Sequence, residues 1–198
     1  MISKTGPLAI YEQQELDHIL GHKARVKEAY NFFKDIGFID KCKKFMTFNE
    51  STLDKLIETH DDSKLCEPEF SCYRQWWYPA PWERRSKVKL NTGLIHHLNT
   101  NPHHFQYYIT YETKYNDGEK ILKMPNEYIL EMLCDWYSFS IKDNNLFGIF
   151  EWWEQEKDNM IFNTTTRNTI ETCLSRLKTL LNKEVDKYNE GRIKNENN

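Results

Sequence analysis

His60-Asp61-Asp62-Ser63-Lys64 is the stretch from which the rest of the chain is best read. It follows Leu53, Leu56 and Ile57, an apolar stripe at helical spacing, and His60 continues that stripe seven residues after Leu53. Ser51, with Asp54 three residues on, resembles a capping box and is expected to start this helix, and Pro68 is expected to end or interrupt the segment. The His60-Asp61 pair is thus expected at the C-terminal end of a half-buried helix, with His60 and Lys64 on one face if the helix continues through them. Neutral imidazole and carboxylate both ligate Zn, Mn or Fe, so the pair is a candidate cation site. Alone, the dipeptide equally suits a solvated helix end. Its weight comes from other His and Asp residues on faces that read as buried.

Upstream, Leu16, Ile19, Val26, Ala29, Tyr30 and Phe33 recur at helical spacing and predict a helix from about Ile10 to Asp35, stopped at Gly37. His22 falls on this stripe. His18, one turn earlier, is a second candidate, but the neighbours of His22 are more clearly apolar. A single His on an apolar face is more often a hydrogen-bonded core residue than a ligand.

Downstream, a helix is expected from Ser86 towards His97, followed by His96-His97-Leu98-Asn99-Thr100-Asn101-Pro102-His103-His104. Asn101 and Pro102 form a natural N-cap and first-turn pair, which would place His103 and His104 in the first turn of a new helix. Imidazoles on both sides of a helix break can converge from two directions. An exposed His-rich turn is the alternative, although Leu94, Ile95, Leu98, Phe105, Tyr107 and Tyr108 imply a packed junction. A helix over Asn126 to Phe139 carries Asp135 within the apolar pattern of Tyr128, Ile129, Met132, Leu133 and Trp136, one turn after Glu131. Buried carboxylates are uncommon unless paired or metal-bound, so Asp135 is a ligand candidate, with an ion pair to Lys or Arg as the alternative.

The remaining segments are a loose lead-in over Met1 to Pro7 and an aromatic block from Phe70 to Trp82 that suits either core or a pocket wall. Arg74, Arg84, Arg85, Lys87 and Lys89 interrupt or follow the block. They form either a solvated basic face or, for Arg74 above all, a phosphate contact. A polar loop over Tyr111 to Lys123 holds an Asn116-Asp117-Gly118 turn. Asp143 to Asn145 is another turn, and Phe147 to Lys157 a short helix. A final amphipathic helix is expected to be capped by Asn168 with Glu171 and to bury Ile170, Cys173, Leu174, Leu177, Leu180 and Leu181. From about Lys183 to Asn198 the polar tail is expected to fray.

These elements make an all-α protein, a single-domain helical bundle spanning 1–198 with its core over about 10–182. Its 198 residues can bury a sizeable core. A net charge of −3 gives no global basic field for nucleic acid, while a local cluster can still bind a small anion. Cys42, Cys66, Cys72, Cys134 and Cys173 are odd in number and lack CxxC spacing, which suits free thiols in a reducing compartment. No apolar run approaches the roughly 20 residues of a membrane span, and the N-terminus lacks a signal-peptide pattern. A cytoplasmic, non-membrane protein is expected, and its aromatic content of 14% is compatible with a homodimer.

In order, the candidate ligands are His22, His60-Asp61, one or more of His97, His103 and His104, and Asp135. Their separations put them on different helices able to converge on one cation, or on two with a bridging hydroxide. This pattern resembles the HD superfamily of helical metal-dependent phosphohydrolases. More closely, His22-x-x-x-Val26, His60-Asp61-x-Ser63-Lys64, Glu69-Phe70, Asn101-Pro102-His103-His104 and Glu131-Met132-x-x-Asp135-Trp136 resemble a family of phage and bacterial proteins with no established substrate. The likeness covers roughly residues 15 to 155. If the chain is phage-encoded, the cytoplasm is that of the host.

The wider resemblance implies hydrolysis of a phosphate ester, often a nucleotide, with one or two ions of Mn, Fe, Co, Ni or Zn lowering the pKa of bound water. It implies His22, His60, Asp61 and Asp135 as ligands of the first ion. Lys64 would stabilise charge on the phosphoryl group. His97 and His104 would complete a second site or, with one ion, contact phosphate or shuttle protons. His103 and Arg74 are further candidates for substrate contact. Mononuclear relatives carry an acidic residue just after the HD pair as the water-orienting base. Here Asp62 and Lys64 occupy that neighbourhood, and the lysine is more reminiscent of the binuclear branch. That branch includes binuclear-iron proteins that activate dioxygen. A third reading is a protein that binds a nucleotide or signalling molecule without turnover.

Overall fold

Residues Ile129 to Asp135 are buried without interruption, which makes their helix the axis of the molecule rather than an amphipathic surface helix. The computed structural model describes residues 6–111, 114 and 118–196, and side chains as far as Glu190. Among these the fold is all-α. In chain order the helices are α1 (Ala9–Asp35), α2 (Phe38–Cys42), α3 (Glu50–Glu58), α4 (Glu69–Trp77), α5 (Lys87–Thr100), α6 (Asn126–Lys142), α7 (Gly148–Glu156) and α8 (Thr164–Glu196). No helix among the described residues is long and apolar enough to cross a membrane.

The long helix α1 lies along α6, with Val26, Ala29, Tyr30 and Phe33 buried in the shared core. Tyr137 of α6 stacks on Phe32, with ring centroids 5.6 Å apart, and meets Phe33 at 5.0 Å. Leu53 and Ile57 bring α3 onto α6. Ile170, Cys173, Leu174, Leu177 and Leu181 of α8 complete the core beside α2. The pair α4 and α5 is separate from this core and packs closely. A Cβ on Gly93 would lie 2.9 Å from the Cβ of Cys72, so only glycine permits the approach, and His97 follows one turn later.

Several boundaries differ from expectation. Asn49, not Ser51, caps α3, its side chain accepting from the Thr52 N–H at 3.0 Å, while its own N–H donates to Glu127 at 2.6 Å. The helix stops at Glu58, so His60 and Asp61 lie beyond it, in a turn leading to a 3-10 segment over Asp62–Leu65. Asn101 does not begin a helix either. Its side-chain amide donates to the His97 carbonyl at 2.9 Å and closes the end of α5. His103 and His104 occupy the following turn, before a 3-10 segment over Phe105–Tyr108. Helix α8 begins four residues before Asn168, where the Asn163 side chain accepts from the Thr165 N–H at 3.0 Å.

The expected frayed tail is instead helical through Glu196. Once the buried half nucleates it, propagation through Lys- and Glu-rich sequence needs no further core, and Glu184 and Lys187 pair at 2.5 Å on its surface. The aromatic block divides: Phe70 and Tyr73 are buried, whereas Trp77 and Trp82 are 53% and 64% exposed. The loop after Tyr108 is pinned by an antiparallel bridge between Ile109 and Ile121. The expected turn at Asn116 and Asp117, the lead-in over Met1 to Thr5 and the final Asn197 and Asn198 lie outside the described residues.

Candidate metal centre

Helices α1 and α6 contribute one ligand candidate each. His22 projects from α1, and Asp135 from α6, with 3.1 Å between His22 Nε2 and Asp135 Oδ1. The turn after α3 adds His60 and Asp61. Asp61 has φ 57°, left-handed backbone that Asp and Asn adopt more readily than other non-glycine residues. Lys23 of α1 braces the turn, donating to the His60 carbonyl at 2.8 Å and bonding the Asp62 carboxylate. The reversed backbone sends Asp62 towards α1 and Asp61 into the centre.

Two nests of donor atoms result, joined by the Asp61 carboxylate. Its Oδ2 lies 3.5 Å from both His22 Nε2 and His60 Nε2, and His60 Nε2 lies 3.7 Å from Asp135 Oδ1. Its Oδ1 lies 3.6 Å from His97 Nε2 and 3.4 Å from His103 Nε2. His104 Nε2 is 2.8 Å from His97 Nε2 and completes the second nest. The first nest is built on His22, His60 and Asp61 with Asp135 beside His22, and the second on Asp61, His97, His103 and His104; His60, His103 and Asp135 also lie close enough together to share an ion between the two.

Carboxylates behind the imidazoles set which nitrogen faces inward. Glu131 accepts from Nδ1 of His60 at 2.9 Å and from Nδ1 of His103 at 3.2 Å. Glu69 accepts from Nδ1 of His97 at 2.8 Å and of His96 at 2.7 Å, and Ser63 donates to it at 3.1 Å. With Nδ1 protonated and engaged, the Nε2 lone pairs of His60, His97 and His103 are left for a ligand, the arrangement found behind metal-bound imidazoles. His60 Nε2, Asp61 Oδ1 and His103 Nε2 are buried and have no hydrogen-bond partner in the protein. Buried polar atoms are rarely left so, and three of them directed into one space fit a cation. The buried His and Asp groups are able to hold a metal ion.

The electrostatics agree with this fit. Burial works to raise the Asp61 carboxyl, but His60, Lys64 and His22 outweigh it and hold it well below the usual range. Burial also works against ionised Asp135, and His22 and His60 outweigh it in the same way. Burial would lower His60, yet Asp61, Asp135 and Glu131 raise it to about 10, and His22 is raised by Asp135 and Asp61 against its own burial. Lys64 donates to Asp61 Oδ2 at 2.7 Å. Without a cation, protons on the imidazoles and the lysine charge together compensate the buried carboxylates. His104 differs: burial first, then the charges of His103 and His97, lower it to about 2 and keep it neutral.

A cleft of about 730 Å³ reaches the centre at His22 of the first nest and His97 of the second, and is lined also by Lys64, Tyr73, Trp77 and Phe139 among others. A second groove of about 490 Å³, between α6 and α7, shares Phe139 with it but contains none of the centre's imidazoles or carboxylates.

His22, His60, Asp61, His97, His104 and Asp135 thus converge, as does His103, which sequence reading left as an alternative to His104. His18 lies one turn outside, on the cleft wall. Arg74 does not face the cleft. Its guanidinium is buried and forked on Glu83, with Nη2 2.7 Å from Oε1, so its expected contact with phosphate is replaced by a structural ion pair. Reading the sequence did not assign Glu69 and Glu131 their orienting role. The available signal was Glu131 four residues before Asp135 on one helical face. Arg25 and Lys142, which also line the cleft, carried no such signal.

The chain belongs to the family of unknown function DUF5662, which matches residues 11–176 and so includes every member of the centre. No curated protein and no solved structure matches it.

Proposed function

We propose that the protein is a metal-dependent phosphohydrolase of the HD type, acting on a nucleotide or another small phosphate ester through a metal-activated water. The observation that carries this reading is the pair of nests sharing the Asp61 carboxylate, with unpartnered donor atoms on His60, Asp61 and His103. A transition-metal dication bound there supplies a water of near-neutral pKa and polarises a phosphoryl oxygen. His22, His60, Asp61 and Asp135 would hold the first ion, and Asp61, His97, His103 and His104 the second.

The chain's own groups supply the remainder. Lys64 lines the cleft beside Asp61 and neutralises charge on a phosphoryl group delivered to it. Arg25 offers a guanidinium with no acidic partner among the described residues. With a single ion bound, His104, at the edge of the second nest, would instead be free to contact phosphate or pass a proton. Tyr73, Trp77 and Phe139 provide apolar area for the organic part of the substrate and exclude water from the reacting end.

Elemental analysis of protein purified without a metal-affinity tag tests the centre. One or two equivalents of Mn, Fe, Co, Ni or Zn are expected in the wild type and none in a His60→Ala, Asp61→Ala double variant. A panel of nucleotides and small phosphate esters then tests the chemistry, with turnover lost in Lys64→Ala while metal is retained. Absence of metal after reconstitution would sink the reading. The imidazole-rich second nest favours one alternative, a binuclear-iron oxygenase, which dioxygen uptake by iron-loaded protein without phosphate release would establish. Ligand binding without turnover would indicate a sequestering protein instead.

A further inference from the structure

One face of α1 carries Glu15, His18, His22 and Arg25 at spacings of three and four residues, and all line the cleft. The sign of charge changes along this face. Beyond His22 it is positive: Arg25 has its Nε buried without a hydrogen-bond partner, and Lys64 and Lys142 line the same cleft.

The other end is negative. Glu15 is 2% exposed and its Oε2 accepts no hydrogen bond. Among the described residues the one basic nitrogen within 4 Å of its carboxylate is Nδ1 of His18, at 3.8 Å, and Arg74, which Glu15 also influences, is already forked on Glu83. Asp17 adds a second carboxylate to the lining. Trp77 and Tyr78 stand edge-on to His18, at 6.5 and 6.0 Å between centroids, and Tyr73 lines the adjoining wall. A buried carboxylate oxygen without a donor is costly, and aromatic rings lining the same cleft can add attraction for a cation.

We propose that this end of the cleft is a cation subsite, in which Glu15 and the Trp77 and Tyr78 rings receive an ammonium group at the far end of the substrate's organic part. The substrate class is then an amine-bearing phosphate ester. The inference rests on the phosphohydrolase reading for its phosphate end. Glu15 and His22 are separated by about 10 Å along the helix axis, a distance an aminopentyl chain can span. A hydroxyl would satisfy the hydrogen bond but leave the carboxylate charge uncompensated, which is why the chemistry favours ammonium.

Calorimetry on the metal-loaded protein, wild type and Glu15→Gln, with inorganic phosphate, pentyl phosphate, hydroxypentyl phosphate and aminopentyl phosphate, tests it. The wild type is expected to bind aminopentyl phosphate about ten-fold tighter than pentyl phosphate, as charge-assisted bonding with an aromatic contribution allows. The preference should vanish in Glu15→Gln, with inorganic phosphate bound as before. Equal affinity for the two esters, an equal gain from hydroxypentyl phosphate, or a preference that survives in Glu15→Gln would overturn the proposal. Should Glu15→Gln not fold, the ligand comparison on the wild type still decides. If inorganic phosphate itself does not bind, the phosphohydrolase reading fails, and pentylamine alone judges the subsite. Saturable binding of pentylamine, lost in Glu15→Gln, supports it, and no binding overturns it.

Discussion

The two nests hold similar atoms by different means. In the first, His22 and Asp135 stand on α1 and α6, whose mutual packing through Phe32, Phe33 and Tyr137 sets their separation. In the second, His97 lies in the last turn of α5 and His103 and His104 sit in a turn, so side-chain bonds to Glu69, Glu131 and Asn101 hold them, as Glu131 also holds the turn-borne His60 of the first. Asp61 belongs to both and is itself held in a left-handed turn. A helix-borne ligand is positioned by many weak contacts at once, whereas a turn-borne ligand depends on a few polar partners that single substitutions can remove.

The sharpest break is Asp61→Asn, since asparagine tolerates left-handed backbone but is a poor ligand. Metal analysis should find both positions empty while circular dichroism stays helical; retention of an ion at either nest would contradict the shared carboxylate. Glu131→Gln should weaken metal binding about 10- to 100-fold at both nests, the usual effect of removing a carboxylate behind a ligating imidazole. Glu69→Gln should do so at the second nest alone, and competition with a chelator measures each.

Gly93→Ala presses a methyl group into Cys72 and forces α5 off α4, with an expected cost of about 1–3 kcal/mol in denaturant unfolding. Since His97 follows on α5, the second nest should lose metal before the first. The comparison of metal-free and loaded protein also depends on pH. His60 is raised from 6.5 to about 10, so its contribution to the metal-free protein is complete below pH 6.5 and is lost as pH climbs through 10. Asp61 and Asp135 are depressed below 3.8, so theirs is complete above that pH and is lost as pH falls through their lowered values. The melting temperature of the metal-free protein should therefore decline from pH 6.5 towards 10. The stabilisation brought by metal should grow over the same range, because ligation needs deprotonated imidazoles. The smallest expected effect is that of Lys23→Met, under about 1 kcal/mol in stability given its partly exposed pair with Asp62, with a measurable loss at the first nest as the His60-Asp61 turn loosens.

This contrast also explains what could be read in advance. Helical periodicity placed His22 on the inner face of α1 and Asp135 inside α6, and the apolar patterns of α1, α3, α6 and α8 carried the all-α fold. Periodicity says nothing about turns. It extended a helix through His60 and began another at Asn101, where the chain instead reverses at Asp61 and closes α5 with the Asn101 amide. Arg74 looked like a phosphate ligand because its partner Glu83 lies nine residues on, beyond the two prolines Pro79 and Pro81. Nothing in the sequence marked Glu15, which the packing of α1 leaves 2% exposed.

The carboxylate held in common by the two nests has a consequence for how they fill. If each nest takes an ion, the first to bind would withdraw electron density from Asp61 and repel the second, so binding at the two nests is expected to be anticooperative. Titration should pass through a half-occupied species with its own stability. At limiting supply such a pair would hold one tightly bound ion on one side of Asp61 and, only at higher supply, a weaker and more exchangeable one on the other.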